Sequence, residues 1–416
     1  MSETFSIVTA LADDIGARPC GSDNAARAVK WTTDKFASWG IDVHNERVVV
    51  PHWVRGAERA AIVSHNDQPL VLTALGGSVS AEISADVVER TSLDLGPDVA
   101  GKIVYFHNPM GSGNAFDAYR DAVVFRIEGA HRAAMHGAVA VLIHSVGSAS
   151  LRTPHTGSMT PATIPAAALA AEDALLVHRL IARGDRVRIH LALESTMLAD
   201  VESANVVAEI RGIENPDEIV LLGAHLDSWD LGTGAIDNAS GVAMVMEAMR
   251  VIREPQKRTI RCVLFMNEEL GQSGSHAYFA AHGHETHVAA IESDLGAGAP
   301  VAFTTTLRGD ALSALRRVAP LPLIEAGDTG VDTRPLVEAG VPGFGYSPDL
   351  THYFDYHHSA ADMLDKVNAM YLEEGARAIT ALARLLANDK SAVGGRASRR
   401  ENGYRRLPTA DRRLLR

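Results

Sequence analysis

Three apolar runs, each strand-length and each followed by acidic or histidine residues, constrain this chain more than any other feature. Residues 218–223 lead to His225 and Asp227, residues 259–266 to Glu268 and Glu269, and residues 288–292 to Asp294. Helical patterns at 240–252 and 275–281 separate them. A strand at 205–210 precedes the set, and residues 333–338 and a long helix at 368–387 follow it. Strands alternating with helices of these lengths predict an α/β fold with a mixed, mostly parallel central sheet and helices on both faces. In such sheets ligands bind outside the carboxyl ends of the strands, which is where these residues fall.

The first third reads differently. Apolar spacing of three and four predicts helices over 4–17 and 24–39, the second capped by Ser22 or Asp23, and then a strand at 43–50. Residues 68–194 form a second mixture: strands at 83–91, 102–106, 138–145 and 187–193, with helices at 119–136 and 172–182. The expected organisation is one discontinuous domain, 1–67 and 195–388, with a smaller α/β module inserted at 68–194. A basic tail, 389–416, is expected to be disordered.

Composition narrows the function. The 416 residues carry 39 Lys or Arg against 51 Asp or Glu, a net charge of −12. The tail alone is +6, which leaves −18 for the rest and argues against nucleic acid as a partner. No apolar run approaches the roughly 20 residues of a membrane span. The acidic start, MSETFSIVTALADD, lacks the basic opening of a secretory signal, so the chain as written is expected to be cytoplasmic, and secreted or periplasmic if a leader has been removed. Cys20 and Cys262 stand far apart in unlike contexts, so a metal site here is expected to use His and carboxylates.

The run from Gly223 to Gly241 contains such a set. His225 can offer a ring nitrogen to a metal while Asp227, two residues on, holds the other nitrogen. Its glycines let the chain curl back to bring in Asp237, whose two oxygens can bridge two ions. Glu268 and Glu269 are adjacent and point apart, so that one can ligate while the other acts as a base toward water. A further loop, 353–362, carries His357 and His358, either of which could reach the site.

These motifs resemble the M28 zinc exopeptidases, and within them the carboxypeptidase Q branch, over about residues 5–388. The resemblance rests on Pro51-His-Trp-Val-Arg-Gly56, the His225-Leu-Asp-Ser-Trp-Asp230 run, Asp237-Asn-Ala-Ser-Gly241, Glu268-Glu-Leu-Gly271, Glu292-Ser-Asp-Leu-Gly296, Gly340-Val-Pro-Gly343 and Tyr356-His-His-Ser-Ala-Ala-Asp362. It implies two zinc ions per chain: His225 and Asp294 on one, Glu269 and His358 on the other, and Asp237 between them. Glu268 is then the general base, Asp227 the partner of His225, and metal-bound hydroxide the nucleophile. The same resemblance implies a protease-associated module at 68–194, a short peptide substrate and a homodimer. Asp362-Met363, where the family commonly has Asp-Thr, and the basic tail depart from the pattern.

Other readings are weaker. No Gly-Lys-Ser/Thr follows the glycine-rich loop at Gly232, which argues against a phosphate loop, and Gly271-Gln-Ser-Gly274 is not a serine-hydrolase elbow. His276, His282, His284 and His287 are expected to be solvated, and Met244, Met246 and Met249 to face a core. Two rival functions remain on the same fold: a receptor or interaction protein without catalysis, and a single-zinc glutaminyl cyclase. A receptor would be expected to lack ligands that are all present here, and two zincs per chain would argue against the cyclase.

Overall fold

A computed structural model describes residues 2–112 and 115–389, so the basic tail, save Asp389, lies outside the described residues. The described chain divides into two compact units, one of residues up to His52 and from Leu198 on, the other of residues 53–197.

The larger unit is built on an eight-stranded sheet. Its strands run in the order Asp42–Val54, Thr196–Ile210, Arg258–Phe265, Asn215–His225, Thr286–Glu292, Gly343–Pro348, Pro300–Thr305 and Leu323–Glu325. The four strands from Arg258–Phe265 to Gly343–Pro348 are mutually parallel, and antiparallel neighbours flank them on both sides. The expected mixed, mostly parallel sheet is therefore observed. Alternate residues face opposite sides. Val220, Leu222, Ile260, Cys262 and Leu264 pack under the helices Ser240–Val251 and Ala369–Asn388, while Leu221, Val263 and Phe265 meet Tyr278 and Leu336 on the other face. Burial on both faces explains why these strands read as continuous apolar runs.

The helices carry local signals for where they start. Ser22 accepts a hydrogen bond from the Ala25 amide (3.1 Å) to open Asp23–Ser38. Asn368 accepts from the amides of Met370 and Tyr371 to open Ala369–Asn388, whose Leu372, Ala376, Ile379, Ala383 and Leu386 form a buried stripe. Met244, Met246 and Met249 are buried in the core, as expected. The expected helix at 4–17 is corrected: Glu3–Thr9 is α-helical, Ala10–Ile15 widens into a π turn, and Gly16 at φ +89° stops it.

The smaller unit is an α/β sheet of eight strands, in the order Gln68–Leu70, Glu58–Ile62, Arg188–Leu193, Ala81–Arg90, Ile103–Phe106, Ala140–His144, Ala166–Leu169 and Leu72–Ala74. Its start differs from the expected residue 68. Glu58–Ile62 pairs antiparallel with Arg188–Leu193, placing Ala60 opposite Leu191, so the module begins near residue 53 and ends near 197. Alternation in such a short strand was too weak a signal to place it.

Candidate metal centre

The strand Asn215–His225 lies between Arg258–Phe265, which follows it in the chain, and Thr286–Glu292, which is reached by crossing to its other side. That reversal is a topological switch point, where the loops leaving neighbouring strands part and open a crevice. The register is His225 opposite Phe265 and Gly223 opposite Glu292. Glu268, Glu269 and Asp294 therefore leave the sheet at the same edge as His225.

Their side chains converge. His225 Nε2 lies 3.0 Å from Asp237 Oδ1 and 2.8 Å from Asp294 Oδ1. His358 Nε2 lies 3.3 Å from Asp237 Oδ2 and 3.0 Å from Glu269 Oε2. One oxygen of Asp237 thus faces one His–carboxylate pair, and its other oxygen faces a second. Ligand atoms on a tetrahedral ion with bonds of about 2.0–2.1 Å stand about 3.3–3.4 Å apart, close to these separations. Glu269 Oε1 is buried and makes no hydrogen bond among the described residues. An imidazole–carboxylate donor set with an orphaned buried carboxylate oxygen fits a borderline divalent ion in each half. His357 stacks on His358 at 4.0 Å between centroids, and His358 makes the contacts to Asp237 and Glu269.

Buried hydrogen bonds hold these groups in place. His225 Nδ1 donates to the Asp227 main-chain carbonyl at 3.0 Å, while the Asp227 carboxylate, expected on that nitrogen, stands 3.7 Å away. That carboxylate instead accepts from the Glu268 and Glu269 amides at 3.1 and 3.3 Å, fixing the acidic pair. Asp362 accepts from the amides of Ile236 and Asp237. Asn238 donates to the Ser293 carbonyl at 2.8 Å and accepts from the Gly241 amide at 3.0 Å, tying the Asp237 loop to the one bearing Asp294. A Cβ at Gly241 would come within 2.2 Å of both Asn238 Oδ1 and the Ser293 carbonyl, so only glycine fits there. Asn267 and His358 adopt positive φ, +68° and +59°, a conformation that costs energy and recurs at functional sites.

Three further residues complete the surroundings, and spacing had not singled them out as site residues. Arg18, fully buried, donates to the carbonyls of Leu226, Thr233 and Gly234 in the loop between His225 and Asp237. Glu292 accepts from the amides of Val331, Asp332 and Thr333. Asp332 has both carboxylate oxygens buried without a hydrogen bond among the described residues. The sequence signal for Arg18 was slight: a lone arginine before Pro19-Cys20-Gly21.

Crowding sets the electrostatics. Eight carboxylates (Asp227, Asp237, Glu268, Glu269, Glu292, Asp294, Asp332 and Asp362) gather at this edge around three imidazoles (His225, His357 and His358) and one guanidinium. Burial, reinforced by Asp294 and Glu269 and opposed by His225, holds Glu268 well above the ordinary carboxylate range. Burial and the repulsion of Asp237 push Glu269 and Asp362 each to about 7. Burial opposes charge on His225, yet Asp294, Asp227 and Asp237 together raise it well above 6.5. Burial lowers Arg18 to about 10 against the pull of Asp362 and Asp227. A buried cluster with this excess of negative charge suits a bound cation.

The fold and these motifs have known counterparts. The profile of Peptidase family M28 matches residues 205–383. Carboxypeptidase Q of Bos taurus is 35% identical over 387 residues, covering 87% of this chain and 80% of that protein. The chain belongs to peptidase family M28. It is therefore a metallopeptidase. A peptidase M28 precursor from Shewanella amazonensis superposes with a TM-score of 0.89 at 36% identity, over 94% of each chain. The zinc aminopeptidase BSAP of Bacillus subtilis shares the fold, with a TM-score of 0.70 at 20% identity over 94% of this chain and 97% of that one. No helix of this M28 peptidase, among its described residues, is long and apolar enough to cross a membrane. The Shewanella protein is described as a precursor, so the comparison lends no support to the cytoplasmic reading of the N-terminus.

Two expectations for the histidines are corrected. His287 is buried, with its Nε2 2.9 Å from the Tyr278 hydroxyl, and His282 lies 2.7 Å from Glu46. Their partners come from other elements, which spacing along one helix does not show. His276 and His284 are exposed, as expected.

Proposed function

We propose that the chain is a dinuclear zinc exopeptidase that hydrolyses dipeptides or the terminal residue of short peptides. The observation that carries this reading is Asp237, whose two oxygens serve separate His–carboxylate pairs. His225 and Asp294 would hold one ion, Glu269 and His358 the other, and Asp237 would bridge them. When bound, the ions supply Lewis acidity to the scissile carbonyl and bring a water near neutral acidity. Glu268 takes the proton from the attacking water and delivers it to the departing amine, a task suited to a carboxylate whose affinity for protons is raised by burial. Asp227 fixes the main chain of Glu268 and Glu269 and, through its carbonyl, the ring of His225. The relatives named carboxypeptidase Q and aminopeptidase favour an exopeptidase but divide over which terminus is recognised.

Replacing Glu268 by Gln keeps the shape and removes the base. Hydrolysis of unblocked dipeptides should fall by roughly 10²–10⁴-fold with zinc content unchanged; activity retained within a few-fold would overturn the assignment. Comparing dipeptides with N-blocked peptides then assigns the terminus. Loss on blocking means that the free amine is recognised, whereas tolerance means that the free carboxylate is.

A further inference from the structure

The smaller unit brings together a second set of donor groups. Glu89 lies at the end of the strand Ala81–Arg90, His107 directly follows Ile103–Phe106, and His178 sits on the helix Ala171–Ala182. His178 Nδ1 is 2.8 Å from Glu89 Oε2, and the rings of His107 and His178 stack 3.9 Å apart, 6° from parallel. All three are half-buried, with solvent access, and one donor atom from each lies within 4.8 Å of the other two.

The Tyr105 hydroxyl prepares one of the nitrogens. The Tyr105 hydroxyl has a single proton and donates it to the Ala174 carbonyl at 2.9 Å, because a carbonyl can only accept. Toward His107 Nδ1, 2.8 Å away, the hydroxyl must therefore accept, and Nδ1 carries the ring proton. His107 Nε2 is left with a free lone pair. A ring whose far nitrogen is tied to an outer partner is the arrangement that orients a metal-binding histidine.

We propose that Glu89, His107 and His178 form a separate binding site for a borderline divalent transition-metal ion, such as zinc, in the smaller unit. Two imidazoles and one carboxylate select such ions over calcium or magnesium, which prefer all-oxygen shells. Donor atoms on a tetrahedral ion stand about 3.4 Å apart, so the observed limit of 4.8 Å calls for a closure of at most about 1.4 Å. Because the stacked rings hold their in-plane lone pairs parallel, binding also requires the half-exposed His107 and His178 rings to turn out of the stack so that the lone pairs converge on the ion. The bound ion would tie two neighbouring strands to the helix packed beside them. Water would fill its remaining positions.

The full chain, equilibrated by dialysis against micromolar zinc chloride, tests this by elemental analysis. The unaltered chain should hold one zinc more than either His178→Gln or Glu89→Gln, while both variants keep dipeptide hydrolysis, which reports an intact fold and catalytic centre. Equal zinc in all three overturns the site. A second measurement needs no variant: diethyl pyrocarbonate labelling of His107 and His178, mapped by mass spectrometry. Zinc should slow that labelling severalfold and a chelator restore it; labelling indifferent to zinc likewise overturns the proposal.

Discussion

Arg18 gives its guanidinium to main-chain carbonyls of Leu11, Gly16, Leu226, Thr233 and Gly234, with no carboxylate in direct hydrogen bond among the described residues. Its charge still sits among Asp362, Asp227, Asp237 and Glu269, so it both shapes the loop between His225 and Asp237 and offsets part of the repulsion among these carboxylates. Arg18→Met should therefore destabilise the chain by about 3–5 kcal/mol, because it strands buried carbonyls and uncompensated carboxylates. Arg18→Lys, which keeps the charge but not the fork, should fall between. Urea unfolding measures both, and a Met variant within 1 kcal/mol of the parent contradicts this role. At this scale the residues that converge on the candidate site were legible and Arg18 was not. His225, Glu268, Glu269 and Asp294 each stand directly behind an apolar run, whereas Arg18 finds Leu226 208 residues away through its carbonyl, which leaves no side-chain signature.

At the scale of elements, the core strands and both capped helices were readable because burial on two faces and a capping side chain leave local marks. The His–Tyr–Arg cluster beside the helix Ser273–His282 did not. Tyr278 joins His287 to Arg261, whose guanidinium also meets Glu209 and Glu285 from other elements. Burial, with Arg261 adding repulsion, lowers His287 from 6.5 to about 4. The folded state thus holds this ring neutral, while the unfolded chain takes up a proton below about 6.5. The resulting stability is complete above pH 6.5 and is lost as the pH falls toward 4, by at most about 3 kcal/mol. In urea titrations between pH 7 and 4.5, His287→Gln should show a smaller loss of stability on acidification than the parent. Parallel pH profiles would contradict the neutral buried ring.

For the whole molecule, the net charge of −12 acquires a partial physical reason. Eight of the acids crowd one edge of one sheet, an excess of negative charge that bound cations would offset. Fold class followed from the strand–helix alternation, but the extent of the smaller unit did not, since the pairing of Glu58–Ile62 with Arg188–Leu193 spans some 130 residues. The proposed mechanism places Asp237 between two ions. Diffraction from zinc-loaded crystals at the zinc absorption edge would locate both ions. Two anomalous peaks about 3.5–4 Å apart are expected, one beside His225 and Asp294 and the other beside Glu269 and His358. A single peak at Asp237, or none, would contradict it.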